Sequence, residues 1–190
     1  MNITTEFKLK ILLISSREDT KDFDSMLIAN GVVPKAHNEY KPTMGYDLWE
    51  KNLVIDDVRV NLSLWYTSRK DRFEGLRSMI YSGSHGAIFA FDAENEYSWE
   101  SIKKYIEYVI NFREGVPCIL IGHGAANMEA QAFAAEKGYH YVEMFSNNYS
   151  NALENTLVEF AQQIVEKLVN IENENRNKHK SSSDAFSHAS

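Results

Sequence analysis

Ile11-Leu-Leu-Ile-Ser-Ser-Arg-Glu-Asp-Thr-Lys-Asp-Phe23 is an apolar run that breaks into a polar turn and then resumes with a different spacing. Phe7 to Ile14 reads as a strand entering a buried sheet, because a short continuous apolar run suits a strand covered on both faces. Phe23, Met26 and Leu27 then recur at helical spacing up to Asn30-Gly31, a C-terminal stop, so a helix begins near Asp22. Strand, polar loop and helix in that order form the opening unit of a parallel α/β sheet.

The rest of the chain repeats the alternation. Val32 to Met44 is loop-like and holds two prolines. Tyr46 to Ile55 and Val58 to Trp65 flank Asp56-Asp57 as a hairpin, with Val58, Val60, Leu62 and Leu64 alternating with polar residues. The Asp pair reads as turn residues rather than a metal site, since side chains in a two-residue turn point into water. Phe73, Leu76 and Ile80 give a short helix ending near Gly83, and Ala87 to Phe91 a buried strand. Ile102, Tyr105, Ile106, Val109 and Ile110 predict an amphipathic helix capped by Ser98. Val116 to Ile121 is another buried strand. Met128 to Lys137 is a helix closed by Gly138, followed by a short strand over Tyr139 to Met144. Leu153, Leu157, Phe160, Ile164 and Leu168 make a long final helix. The expected fold is an α/β sheet of six strands, mostly parallel with one antiparallel edge pair and helices on both faces. The expected organisation is one domain over residues 1–172 and a disordered polar tail over 173–190.

Composition narrows the function classes. A formal net charge of −7 and no basic stripe argue against nucleic-acid binding. The single cysteine, Cys118, cannot form an intrachain disulfide and reads as an inert core thiol, and no signal peptide is recognisable, so the cytoplasm is the expected compartment. No apolar run approaches the roughly 20 residues that span a bilayer. His85, after a glycine-serine turn, reads as structural.

The order of elements, with several local strings, resembles a Ras-superfamily small GTPase of the Rab branch, which has the P-loop NTPase-like fold, over about residues 7 to 170. Tyr40-Lys-Pro-Thr-Met-Gly-Tyr-Asp-Leu48 is similar to the Rab switch I and the strand after it. Leu64-Trp65 and Asp71-Arg-Phe73 bracket the place of the family's Trp-Asp-Thr-Ala-Gly-Gln-Glu-Arg-Phe. Tyr81-Ser-Gly-Ser-His-Gly86 resembles the family's Tyr-Arg-Gly-Ser/Ala-His-Gly.

The resemblance implies a nucleotide site, and the residues at its positions differ from the family's. A phosphate loop of form GxxxxGKS/T turns backbone N–H groups toward phosphates, neutralises them with lysine and holds Mg²⁺ with a hydroxyl. Here Ser15 and Thr20 stand at the glycines, Lys21 keeps the lysine, and Asp22 replaces the hydroxyl residue. In the DxxG segment Tyr66 stands for the aspartate, Arg69 for the glycine and Lys70 for the catalytic glutamine, so no catalytic residue is expected. In the guanine-reading NKxD segment, Gly122-His-Gly-Ala-Ala126 puts His123 at the asparagine, Gly124 at the lysine and Ala126 at the aspartate. Phe145-Ser-Asn147 replaces the serine-alanine-lysine string behind the base. Thr43 keeps the switch I threonine that binds Mg²⁺. Two unit charges about 4 Å apart at an effective dielectric of roughly 20 interact by about 4 kcal/mol, so Glu18, Asp19 and Asp22 oppose a phosphate that Arg17 and Lys21 only partly attract.

Two readings follow. The leading one is a pseudoGTPase that binds proteins through a switch-like surface containing Tyr40, Met44, Trp49, Trp65 and Phe73, in vesicle traffic or signalling, with no cofactor. Trp49 is expected to be exposed, while Trp65 and Phe73 serve either packing or a partner. The other is a divergent GTP/GDP-binding switch holding Mg²⁺ with Asp22 and Thr43, phosphate with Lys21 and the base beside His123. His123 otherwise reads as a structural or solvent-facing histidine. The tail lacks the cysteines that carry Rab prenyl groups, so no lipid anchor is expected there, and Arg176, Lys178 and Lys180 allow at most weak membrane contact.

Overall fold

The computed structural model describes residues 6–16, 21–35, 46–67, 74–113, 115–145 and 152–187. The elements run β1 (Glu6–Ser15), α1 (Lys21–Ala29), β2 (Val33–Pro34), β3 (Tyr46–Ile55), β4 (Val58–Thr67), α2 (Glu74–Tyr81), β5 (Gly86–Asp92), α3 (Glu96–Phe112), β6 (Cys118–His123), α4 (Met128–Lys137), β7 (His140–Met144) and α5 (Ala152–Ser187). The sheet order is β2-β3-β4-β1-β5-β6-β7. β4, β1, β5, β6 and β7 are parallel, and β3 runs antiparallel to both β2 and β4.

β1 explains the two-sided architecture. Leu9, Ile11 and Leu13 enter one core with Met26 and Leu27 of α1 and Leu157, Phe160 and Ile164 of α5. Leu12 and Ile14 enter a second core with Ile80 of α2, Trp99, Ile102 and Ile106 of α3, and Ala130 and Ala134 of α4. Successive side chains of a strand point to opposite faces, so an unbroken apolar run is what feeds two cores at once.

Three expectations are corrected. The sheet has seven strands rather than six, because Val33 and Pro34, read as loop, add a short edge strand onto Trp49 and Glu50. Pro34 has no N–H to donate, which an edge position tolerates. α3 is capped by Asn95, whose Oδ1 accepts from the N–H of Tyr97 at 3.0 Å, and Ser98 lies inside the first turn. α5 runs from Ala152 to Ser187, past residue 172. No glycine or proline interrupts 152–187, so a composition too polar to pack still sustains a helix. Finally, Trp49 is buried at 8% exposure in the core of α1 and α5, facing inward with Lys51 and Leu53.

Other expectations hold. Asp56 and Asp57 take positive φ values of 48° and 65° in the hairpin turn, as a two-residue turn matching strand twist requires. Gly138 ends α4 in the left-handed conformation. Lys51, unanticipated from the sequence, is buried, its Nζ donating to the Asn30 carbonyl at 2.6 Å and meeting Glu154 Oε1 at 3.0 Å, which ties β3 to the ends of α1 and α5.

Cys118 is buried and its Sγ donates to the Val116 carbonyl at 3.2 Å. Burial pushes its thiol from the ordinary 9.0 up to about 12. The unfolded chain releases this proton as pH passes about 9 while the folded chain holds it, so the unfolded state binds fewer protons and stability falls from there toward pH 12. Tyr139, pushed up to about 12 chiefly by burial, adds a loss of the same sign. Urea unfolding at about pH 8 and about pH 10 should show the fall, and Cys118→Ala should flatten part of it.

Candidate functional site

In a parallel α/β sheet, ligands sit outside the carboxyl ends of the strands where the chain switches direction across the sheet. Here β1 is followed on one side by β4, β3 and β2, and on the other by β5, β6 and β7, so the switch point lies between β1 and β5. β1, β5, β6 and β7 end at Ser15, Asp92, His123 and Met144, and β4 at Thr67.

At the switch point the backbone N–H of Ser16 donates to the Ala90 carbonyl at 2.9 Å. Ser16 Oγ and Ser98 Oγ share a hydrogen bond. Ser98 Oγ also accepts from the Asp92 N–H at 2.8 Å, and Asp92 Oδ1 accepts from the Glu94 N–H at 3.0 Å. Ser98 is buried, so the hydroxyl expected to cap a helix instead joins β1, β5 and α3 beneath the site.

The loop after β6 forms the neighbouring wall. The Ala93 N–H donates to the His123 carbonyl at 2.8 Å, and the Gly124 N–H donates to the Met144 carbonyl at 2.9 Å. The ends of β5, β6 and β7 are thereby stitched in order. Gly122 packs so closely that a Cβ there would come within 2.8 Å of Tyr141 Oη. That hydroxyl accepts from the Asn127 N–H at 3.3 Å, and Asn127 Oδ1 in turn accepts from the Ala130 N–H at 2.9 Å, capping α4. Burial raises the Tyr141 phenol above its ordinary value, which keeps it neutral in this role. Gly124 has φ +103°, and a Cβ at that position would meet Glu94 Cδ and Cγ, each at 3.2 Å. Ala126 is exposed beside it.

His123 is half-buried at the end of β6 and shares this loop with Gly124 and Ala126. The backbone of Lys21 and Asp22 opens α1, the helix that follows the switch-point strand, while their side chains lie outside the description. Thr43, Tyr40, Met44 and Phe73 lie outside the described residues, so the meeting of Lys21, Asp22 and Thr43 around a metal is not described either. Among the described residues no group of His, Cys, Asp and Glu is arranged to hold a metal ion. Trp65 is half-buried against the α2 and α3 core, and Lys10 Nζ lies 4.4 Å from its ring centroid while donating to the Ser82 carbonyl at 2.9 Å. Trp49 is in the opposite core and is not a surface aromatic.

Ala126 stands exposed in this loop with a methyl group, which accepts no hydrogen bonds. Glu94, from the turn after β5, lies against Gly124 in this loop. Sequence reading passed over Glu94 and Ser16, and took Ser98 for a helix cap rather than the partner of Ser16. The available signal for Glu94 and Ser16 was position, since both follow the carboxyl ends of buried strands.

A sequence profile described as Ras family matches residues 10–167. GTP-binding protein ypt3 of Schizosaccharomyces pombe is 25% identical over 168 residues, covering 75% of this chain and 78% of that protein. Human Ras-related protein Rab-7b is 24% identical over 165 residues, with 81% of each chain covered. Human Ras-related protein Rab-40A-like is 29% identical over 147 residues, covering 73% of this chain and 52% of that protein. The element order, the switch point at β1 and the profile over most of the chain agree, and the chain belongs to the Ras family as a Rab-like small GTPase homologue.

Proposed function

We propose that this chain is a Rab-like pseudoGTPase that acts as a cytoplasmic protein-interaction module in vesicle traffic or signalling, with GTP hydrolysis weak or absent. The observation that carries the reading is the loop after β6, where an exposed Ala126 stands at the position of the base-reading carboxylate and Glu94 packs against Gly124 at the position of the lysine. Each lost charge-assisted hydrogen bond removes about 1.5–3 kcal/mol of selectivity for the base. The partner surface includes Tyr40, Met44, Trp65 and Phe73, and Trp49 is withdrawn from it because its ring is buried.

A second reading is a divergent GTP-binding switch that uses Lys21, Asp22 and Thr43 with Mg²⁺. It is favoured by α1 starting at Lys21, since a helix N-terminus with a lysine in its first turn attracts phosphate. The printed name of ypt3 describes that relative as GTP-binding, which also supports it. Titration calorimetry with GTP, GDP and ATP, with and without Mg²⁺, separates the two. No heat of binding at micromolar nucleotide is the expected result. Micromolar binding that Lys21→Ala abolishes would overturn the pseudoGTPase reading in favour of the switch.

A further inference from the structure

At the other end of the sheet, away from the strand carboxyl ends, a recess lies between the start of β6, the turn before β5 and α5. Three basic side chains from separate elements line it, His85, Arg113 and Lys167, and none of the described residues lining it is acidic. This is a local reversal of sign in a chain whose formal net charge is −7. Each basic group is held in place by backbone. The Lys10 N–H donates to His85 Nδ1 at 3.0 Å, Arg113 Nη1 donates to the Ser84 carbonyl, and Lys167 Nζ donates to the Gly115 carbonyl at 2.6 Å. With Nδ1 accepting, neutral His85 carries its proton on Nε2 and is a donor in either charge state. Burial and the nearby Arg113 guanidinium hold His85 below the usual histidine range, as expected where positive charge is concentrated. Arg113 and Lys167 keep further N–H donors after their carbonyl bonds. The remaining wall is apolar, built by Pro117, Ile164, Leu168 and Ile171.

We propose that this recess binds a small aliphatic carboxylate, with the carboxylate held by His85, Arg113 and Lys167 and the hydrocarbon lying along Leu168 and Ile171. The recess is small and open on one side, so the carboxylate head enters it while the chain follows the open side of α5, where Ile171 is 44% exposed.

The test follows the His85 imidazole resonances of the full chain by NMR while hexanoate, acetate, inorganic phosphate or hexylammonium is added. Hexanoate should give a saturable shift and bind several-fold more tightly than acetate, since each buried methylene adds to affinity. Hexylammonium should give none. Lys167→Met should weaken hexanoate by about tenfold through loss of a charged donor. Ile171→Asp, at an exposed position, should weaken it at least as much by placing a like charge beside the carboxylate. Both variants should keep the parent melting temperature without ligand. The proposal is overturned if hexanoate and acetate bind equally, if phosphate binds as tightly as hexanoate, if hexylammonium shifts His85 equally, or if no addition saturates. Unchanged hexanoate affinity in both variants overturns it as well. None of these outcomes bears on nucleotide binding at the opposite end of the sheet.

Discussion

Trp49→Ala is expected to lower the unfolding free energy by about 3–5 kcal/mol, the range for removing a large buried aromatic and leaving a cavity. The ring is 8% exposed and belongs to the core that includes Met26, Leu53 and Leu157. Urea unfolding followed by far-UV circular dichroism measures the loss. A change under about 1 kcal/mol would place the ring outside the packed core. The size of the effect also governs how partner binding is to be probed. In a Trp49→Ala chain lost stability confounds any loss of partner binding, so Trp65, half-buried and stacked under Lys10, is the aromatic whose replacement bears on the surface itself.

Gly86→Ala is the second large effect, about 2–3 kcal/mol of destabilisation through overpacking. Gly86 opens β5, between β1 and β6, and a Cβ there would stand 2.4 Å from Phe160 Cζ and 3.0 Å from Ile164 Cδ1. Both are fixed core side chains of α5 rather than flexible ends at the surface. The ring must move, and the sheet behind Gly86 cannot retreat. Phe160→Leu alone should destabilise by forming a cavity, yet in combination with Gly86→Ala it should restore part of the loss. Such coupling would exceed the about 0.3–0.5 kcal/mol scatter of independent sites. Strict additivity would mean that the alanine methyl is accommodated without displacing Phe160.

What was legible in the sequence depended on how local its cause is. The buried strands β5 and β6 announce themselves as apolar runs, and the hairpin at Asp56-Asp57 by its period of two. Gly138 marks a helix end because the left-handed conformation falls naturally to glycine. The misses were decided by distant partners. Val33-Pro34 becomes a strand only because Trp49 and Glu50 lie beside it. A tryptophan in β3 reads as exposed or buried according to which face α1 and α5 cover, and Lys51, on that same inward face, would be assigned to solvent without sight of Asn30 and Glu154. Ser98 and Asn95 are both chemically fit to cap a helix, and the hydroxyl of Ser16 takes one of them for another purpose. The loop holding His123, Gly124 and Ala126 could be located from the sequence. Its contact with Glu94 could not, because it depends on how two loops from different strands close over each other.

The position of β1 between β4 and β5 also sets a timetable for synthesis. Its run from Ile11 to Ile14 is fully apolar, yet its first neighbour, β4, is complete only at Thr67, and its second, β5, at Asp92. At ribosomal rates of about 5–20 residues per second, the strand waits roughly 3–10 s for the first of these pairings. During that interval the most hydrophobic part of the chain has no sheet to join, so the nascent protein is a natural client for chaperones that shield extended apolar segments. Truncations ending before Thr67 should aggregate rather than form a smaller folded unit.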